Sequence, residues 1–175
     1  MGGFSGDGVD TLGHGTAVAA AVCDLASGAW IHSIGVLDAE GRCDPNAMVG
    51  AIDDAIATGA HLINLSLGVG AADLEADFKA VISRVQAAGA RLIAPAAQDG
   101  IWCYPGCMVG VDGVVVEAVA NREEPTRREY EGLNLWFASP FPRDLPGLDR
   151  DRNLQGVSMA VANVTGFLAH SLQPQ

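Results

Sequence analysis

Hydrophobic positions along the 175 residues follow two rhythms. "NAMVGAIDDAIATG", over 46–59, repeats its apolar residues at helical spacing and stops at Gly59, a predicted C-cap. "DLEADFKAVISRVQAAG", over 73–89, is an amphipathic helix whose charges form a solvated face, and it too ends on Ala-Gly. Two helices of small residues are predicted at "TAVAAAVCDLA" (16–26) and from about Ser158 to Ser171. Between the helices stand short, near-continuous apolar runs: 30–37 ("WIHSIGVL"), 61–67 ("HLINLSL") and 90–97 ("ARLIAPAA"). Each predicts a strand, and "MVGVDGVVVEAVA" (108–120) holds one or two more. Residues 121–150 are polar and read as loop around "LNLWFAS".

Alternating strands and helices, with strands apolar on both faces, predict an α/β fold: a mostly parallel sheet covered by helices on both sides. In such sheets ligands gather at the carboxyl ends of the strands, where "LGVG", "AAQDG" and the helix start at Ser158 all fall. The length suits a single domain over residues 1–175.

Composition narrows the function classes. The formal net charge is -11, from 21 acidic and 10 basic side chains. That balance argues against a nucleic-acid surface, which needs a basic patch. No run approaches the length of a membrane span. "MGGFSGDGVDTLG" has neither a basic start nor an apolar core of a secretion signal, so the default location is cytoplasmic. The spacing of Cys23, Cys43, Cys103 and Cys107 matches no paired zinc pattern, and neither a metal nor a cofactor is expected. A reducing compartment keeps all four cysteines free, whereas an oxidising one would allow Cys103 and Cys107 to bridge across "CYPGC".

Chemistry concentrates in three segments: "GHGTAVAAAV" (13–22), "LIAPAAQDG" (92–100) and "GVSMAVANVTG" (156–166). Taken alone, Ser158 is a helix N-cap, because serine oxygens accept from orphan backbone N–H groups. With His14 at a neighbouring helix start, it becomes a candidate nucleophile whose proton passes to the imidazole. Its own backbone N–H at a helix N-terminus would face a developing oxyanion, and the Gln98 amide would supply a second donor. His32, His61 and His170 are expected to be structural or solvent-facing, and Trp30 and Trp136 to be packing residues.

These segments, in this order, resemble the subtilisin-like serine proteases over roughly residues 11 to 170. "GHGTAVAA" is similar to the family's histidine motif, with Ala17 where a second histidine is usual. "GVSMAVANVTG" is similar to its serine motif, with Val157 for threonine and Asn163 for histidine. "AIATGAHLINLSLG" resembles the segment whose Ser-Leu-Gly strand binds substrate backbone, here Ser66, Leu67 and Gly68. "AAGARLIAPAAQDG" resembles the segment carrying the oxyanion asparagine, replaced here by Gln98. The resemblance implies a three-layer subtilisin-like fold with Ser158 as nucleophile, His14 as base and Trp102 as a wall of the substrate groove.

The family's aspartate strand, normally well upstream of the histidine, has no counterpart among the 13 residues before His14. Asp7 and Asp10 fall in the wrong place to be the triad acid, and Asp38, after "SIGVL", is the internal alternative. No acidic calcium loop is evident. The resemblance therefore implies a compact serine hydrolase with a degenerate triad, acting on a peptide in a dedicated maturation or tailoring role. The alternative is a catalytically silent relative that binds a peptide or partner protein. A fragment of a longer protease is a third reading, which an initiating Met1 disfavours. Losing a central strand also predicts a homo-oligomer, or a partner chain that completes the sheet.

Overall fold

The computed structural model describes residues 10, 12–38, 40–70 and 74–173. Among the described residues four α-helices are present: α1 (His14–Leu25), α2 (Pro45–Ala57), α3 (Glu75–Ala87) and α4 (Val157–Ser171). They alternate with β1 (Leu62–Asn64), β2 (Arg91–Pro95), β3 (Ala97–Gln98), β4 (Ile101–Trp102), β5 (Asp112–Val116), β6 (Thr126–Tyr130) and β7 (Leu133–Ala138). The main sheet runs β1-β2-β5-β7-β6. Its first four strands are parallel, and β6 is antiparallel on β7.

The apolar strands are continuous because both faces are covered. Leu92 and Ala94 of β2 pack under α2 and α3, together with Met48, Ile52, Phe78 and Val81. Ile93, the residue between them, points the other way onto Ala160, Val161 and Val164 of α4. Helix α2 begins where the sequence allows: Pro45 occupies its first turn and the Asp44 carboxylate accepts from the Asn46 N–H at 2.8 Å. Helix α1 lies outside α4, with Ala21 and Val22 against Met159 and Ala162. The close approach needs Gly166, where an added Cβ would stand 2.8 Å from Leu25 Cβ.

Two sequence expectations change, and one stretch left unassigned gains structure. Residues 121–150 are not all loop, since β6 and β7 form a hairpin there. "QDGIW" is also a hairpin: Gln98 pairs with Ile101 across Asp99 and Gly100, both at positive φ. The 30–37 run is not a strand. Leu37 makes one isolated bridge to Cys43, and residues 30–36 join no ladder. The physical reason is the absence of a neighbouring strand among the described residues, since a strand exists through its hydrogen bonds. Trp30 is fully exposed and Ile31 largely so.

The sheet ends correspondingly at β1. Arg91 N–H donates to His61 O at 3.0 Å and Leu65 N–H to Ile93 O at 2.9 Å, so odd-numbered residues face β2. By the alternation of a parallel strand, the main-chain groups of Leu62 and Asn64 face the open edge.

Candidate active site

Helices α1 and α4 both open onto one cleft of about 310 Å³, lined by Leu12, His14, Leu37, Gly41, Ser66, Leu67, Gly68, Gln98 and Ser158. The segments carrying His14, Gln98 and Ser158 are 84 and 60 residues apart in sequence, and the parallel topology brings their ends to one side.

Each element positions its residue by local rules. His14 is the first residue of α1 and is half-buried. The turn ahead of it is held by Asp10, whose carboxylate accepts from Leu12 N–H (3.2 Å), Gly13 N–H (2.9 Å), Thr16 N–H (2.7 Å) and the Thr16 hydroxyl (2.8 Å). The Thr16 backbone bond foremost, then the rest of this set, holds the Asp10 carboxyl below its usual range. Its occupation is capping, as its position in sequence implied. Ser158 is the second residue of α4, so its N–H belongs to the first-turn donors that have no intrahelical acceptor. Gly156 precedes it at φ 135 and ψ -174, a conformation restricted to glycine, which turns the incoming chain sharply into the helix.

The Ser158 hydroxyl is not a cap. It donates to Ser66 O at 3.2 Å, and the Ser66 hydroxyl donates back to Ser158 O at 3.4 Å. Asn64 supports the pair, its amide donating to Ser66 Oγ at 2.9 Å while its oxygen accepts from Thr165 at 2.8 Å. The start of α4 is thereby stitched to the end of β1, and Ser158 sits against the Ser66–Gly68 edge. Gly68 itself fits because an added Cβ would stand 2.8 Å from Cys103 Cβ.

Two expected site residues lie elsewhere. Asp38 does not line the cleft, although its neighbours Leu37 and Gly41 do. Its carboxylate accepts from Arg42 N–H (2.8 Å), Glu40 N–H (3.0 Å) and Arg42 Nε (3.0 Å), which close the 38–42 turn and hold it below its usual range. Trp102 turns away from the cleft onto Tyr130, with ring centroids 6.3 Å apart, and packs beside Ala96, Leu135 and Phe137. The tight Asp99–Gly100 turn aims it there. Gln98 stays exposed at the cleft. Among the described residues no carboxylate forms an ion pair with His14.

Sequence reasoning missed a second polar centre. Arg122, Asp24 and Asn163 join α1 to α4, and the only signal was Asn163, a polar residue in the middle of a mostly apolar helix. A larger hollow of about 630 Å³ beside them holds none of the expected site residues. Among the described residues no cluster of three or more His, Cys, Asp or Glu is placed to hold a metal, all four cysteines are free, and no helix is long and apolar enough to cross a membrane.

Comparison with known proteins places this arrangement. No protein-family model and no curated protein matches the sequence. Solved structures do match. A lanthipeptide protease superposes with a TM-score of 0.67 at 19% identity, over 91% of this chain and 62% of that one. The PatG macrocyclase in complex with peptide gives 0.59 at 20% identity, over 92% and 54%. The prenylagaramide maturation protease PagA gives 0.55 at 24% identity, over 77% and 51%. The fold is subtilisin-like. This subtilisin-like chain spans between 51% and 62% of the length of those three structures.

Proposed function

We propose that the protein is a subtilisin-type serine hydrolase acting on a peptide, in a dedicated maturation or tailoring step. The observation that carries this reading is the convergence of His14, Gln98 and Ser158 with the Ser66–Gly68 edge on one cleft. The fold neighbours support it by analogy, being a lanthipeptide protease, a maturation protease and a macrocyclase in complex with peptide.

In this mechanism a peptide lies along the Ser66–Gly68 edge with its scissile carbonyl over Ser158. The Ser158 hydroxyl leaves the Ser66 carbonyl, gives its proton to His14 and attacks the carbonyl carbon. The oxyanion is met by the Ser158 N–H and the Gln98 amide. The tetrahedral centre collapses, the C–N bond breaks, and His14 returns the proton to the departing amine. Water, or another amine, then releases the acyl group from Ser158 by the reverse sequence. In this reading the triad is degenerate, since among the described residues no carboxylate forms an ion pair with His14. In serine proteases where that partner was neutralised, kcat fell by about 10⁴, so the expected turnover is slow. We further propose that a second copy or a partner chain completes the sheet at the open edge of β1.

An activated ester of an N-acylated amino acid tests the enzyme reading by pre-steady-state kinetics. The expected result is a burst stoichiometric with protein that Ser158→Ala and His14→Ala each abolish. Hydrolysis without a burst, unchanged in both variants, contradicts it. A silent peptide-binding relative is the second reading, favoured by the Ser158 hydroxyl being engaged with Ser66 O. It predicts peptide binding with no burst.

A further inference from the structure

Helix α1 packs on α4, and several small residues between them allow a close approach. Ala17, Val18, Ala21 and Val22 meet Met159 and Ala162, and Gly166 meets Leu25. That packing brings the helices close, and a directional polar tie across it adds a restraint on how one sits along the other. The two N-termini carry His14 and Ser158, whose relative placement decides whether a proton can pass between them.

One side chain supplies such a tie. Arg122, in the loop after β5, has only 12% of its side chain exposed. Its Nε donates to Asn163 Oδ1 on α4 at 3.1 Å, its Nη1 to Asp24 Oδ2 on α1 at 2.7 Å, and its Nη2 to Ala21 O on α1 at 3.1 Å. Asn163 is fully buried, and its amide reaches the segment that follows β7. There its amide donates to Ser139 O at 3.0 Å and Phe141 O at 2.9 Å. A planar guanidinium offers its donors in a rigid fork, so three acceptors on two helices are tied to one plane. At 1.5 Å per residue the tie lies about 7.5 Å along α4 from Ser158 and about 10.5 Å along α1 from His14.

We propose that Arg122 is a positioning residue: by clamping Ala21 and Asp24 to Asn163 it sets the register of α1 on α4, and hence the placement of His14 relative to Ser158. The inference rests on the serine-hydrolase reading. A lysine keeps the charge opposite Asp24 but reaches the three acceptors from a single atom, so it does not reproduce the clamp.

The test compares wild type, Arg122→Lys and Arg122→Ala for the second-order rate of Ser158 labelling by a fluorophosphonate, normalised to folded protein. His14 ring resonances are followed in parallel. The expected result is labelling about ten- to a hundredfold slower in both variants, as sub-ångström to ångström misplacement produces. It comes with a displaced His14 resonance while those of His32 and His61 stay in place. Should Arg122→Ala fail to fold, the lysine variant carries the comparison. A folded lysine variant with wild-type labelling and an unmoved His14 resonance would overturn the proposal. If wild type itself is not labelled, the hydrolase reading has failed, and the His14 resonance alone decides: displaced in Arg122→Lys it upholds the clamp, unmoved it overturns it.

Discussion

Ser158 shows how one side chain can serve a structural and a chemical purpose from the same position. Its hydroxyl bonds the Ser66 carbonyl and so helps seat α4 on β1, while its N–H is free at the helix start. Taken alone the serine reads as a helix cap, and only the company of "GHGTAVAA" and "LIAPAAQDG" made it a candidate nucleophile in sequence. Arg122 was not readable, because "NREE" looks like any polar loop and its acceptors lie 41 and 98 residues away. Asp112 was equally silent. It is buried at the start of β5, where desolvation alone would push its carboxyl up. Bonds from Arg91 (2.8 and 2.9 Å) and Trp136 Nε1 (2.9 Å), with the Arg91 and Arg127 charges, outweigh that and hold it below its usual range. A lowered folded-state value means that folding favours the charged form. Its contribution is therefore complete above about pH 4 and disappears as acid protonates the group. Asp112→Ala is expected to cost about 1–3 kcal/mol in urea unfolding at pH 7, with the difference from wild type shrinking toward pH 3. A pH-independent difference would refute the assignment.

At the scale of elements, what was legible depended on how many residues shared a period. Helices α2, α3 and α4 each offer three turns or more of consistent spacing, and their predicted positions agree with the structure to within a few residues at either end. Strand β6 is all exposed, so "TRREY" has no apolar alternation to read. Its apolar contribution comes from arginines laid over the rings of β7: Arg128 stands 3.5 Å from the Phe137 centroid and Arg127 5.4 Å from that of Trp136. The 30–37 run fails in the opposite way. It has strand composition but no partner, and pairing lies outside its own sequence. The contact of α1 with α4 at Gly166 gives a sharper prediction. Gly166→Val forces Leu25 and the α1 backbone away, and overpacking of this kind costs about 1–3 kcal/mol. Thermal unfolding is expected to show that loss, along with reactivity at Ser158 reduced beyond the fraction unfolded. Full reactivity in the folded variant would show that helix spacing does not govern the site.

The whole molecule is a three-layer sandwich with one side left open. Leu62 and Asn64 turn their main-chain groups to an edge with no strand beyond it among the described residues. Exposed edges invite pairing, and the acidic surface of a chain with net charge -11 favours a basic partner over a second copy. Light scattering combined with amide exchange reads this directly. Either the mass exceeds 18.0 kDa, or the Leu62 and Asn64 amides of the monomer exchange rapidly. A monomer with both amides protected would contradict an unfilled edge. The proposal that matters most, however, is that Ser158 is a nucleophile activated by His14, on a subtilisin-like fold that offers no internal acid among the described residues. Fluorophosphonate labelling followed by peptide mapping measures it most directly. The predicted result is one adduct on Ser158, absent in Ser158→Ala and strongly slowed in His14→Ala. An unlabelled Ser158 in the folded wild type, with or without added basic partner, would contradict it.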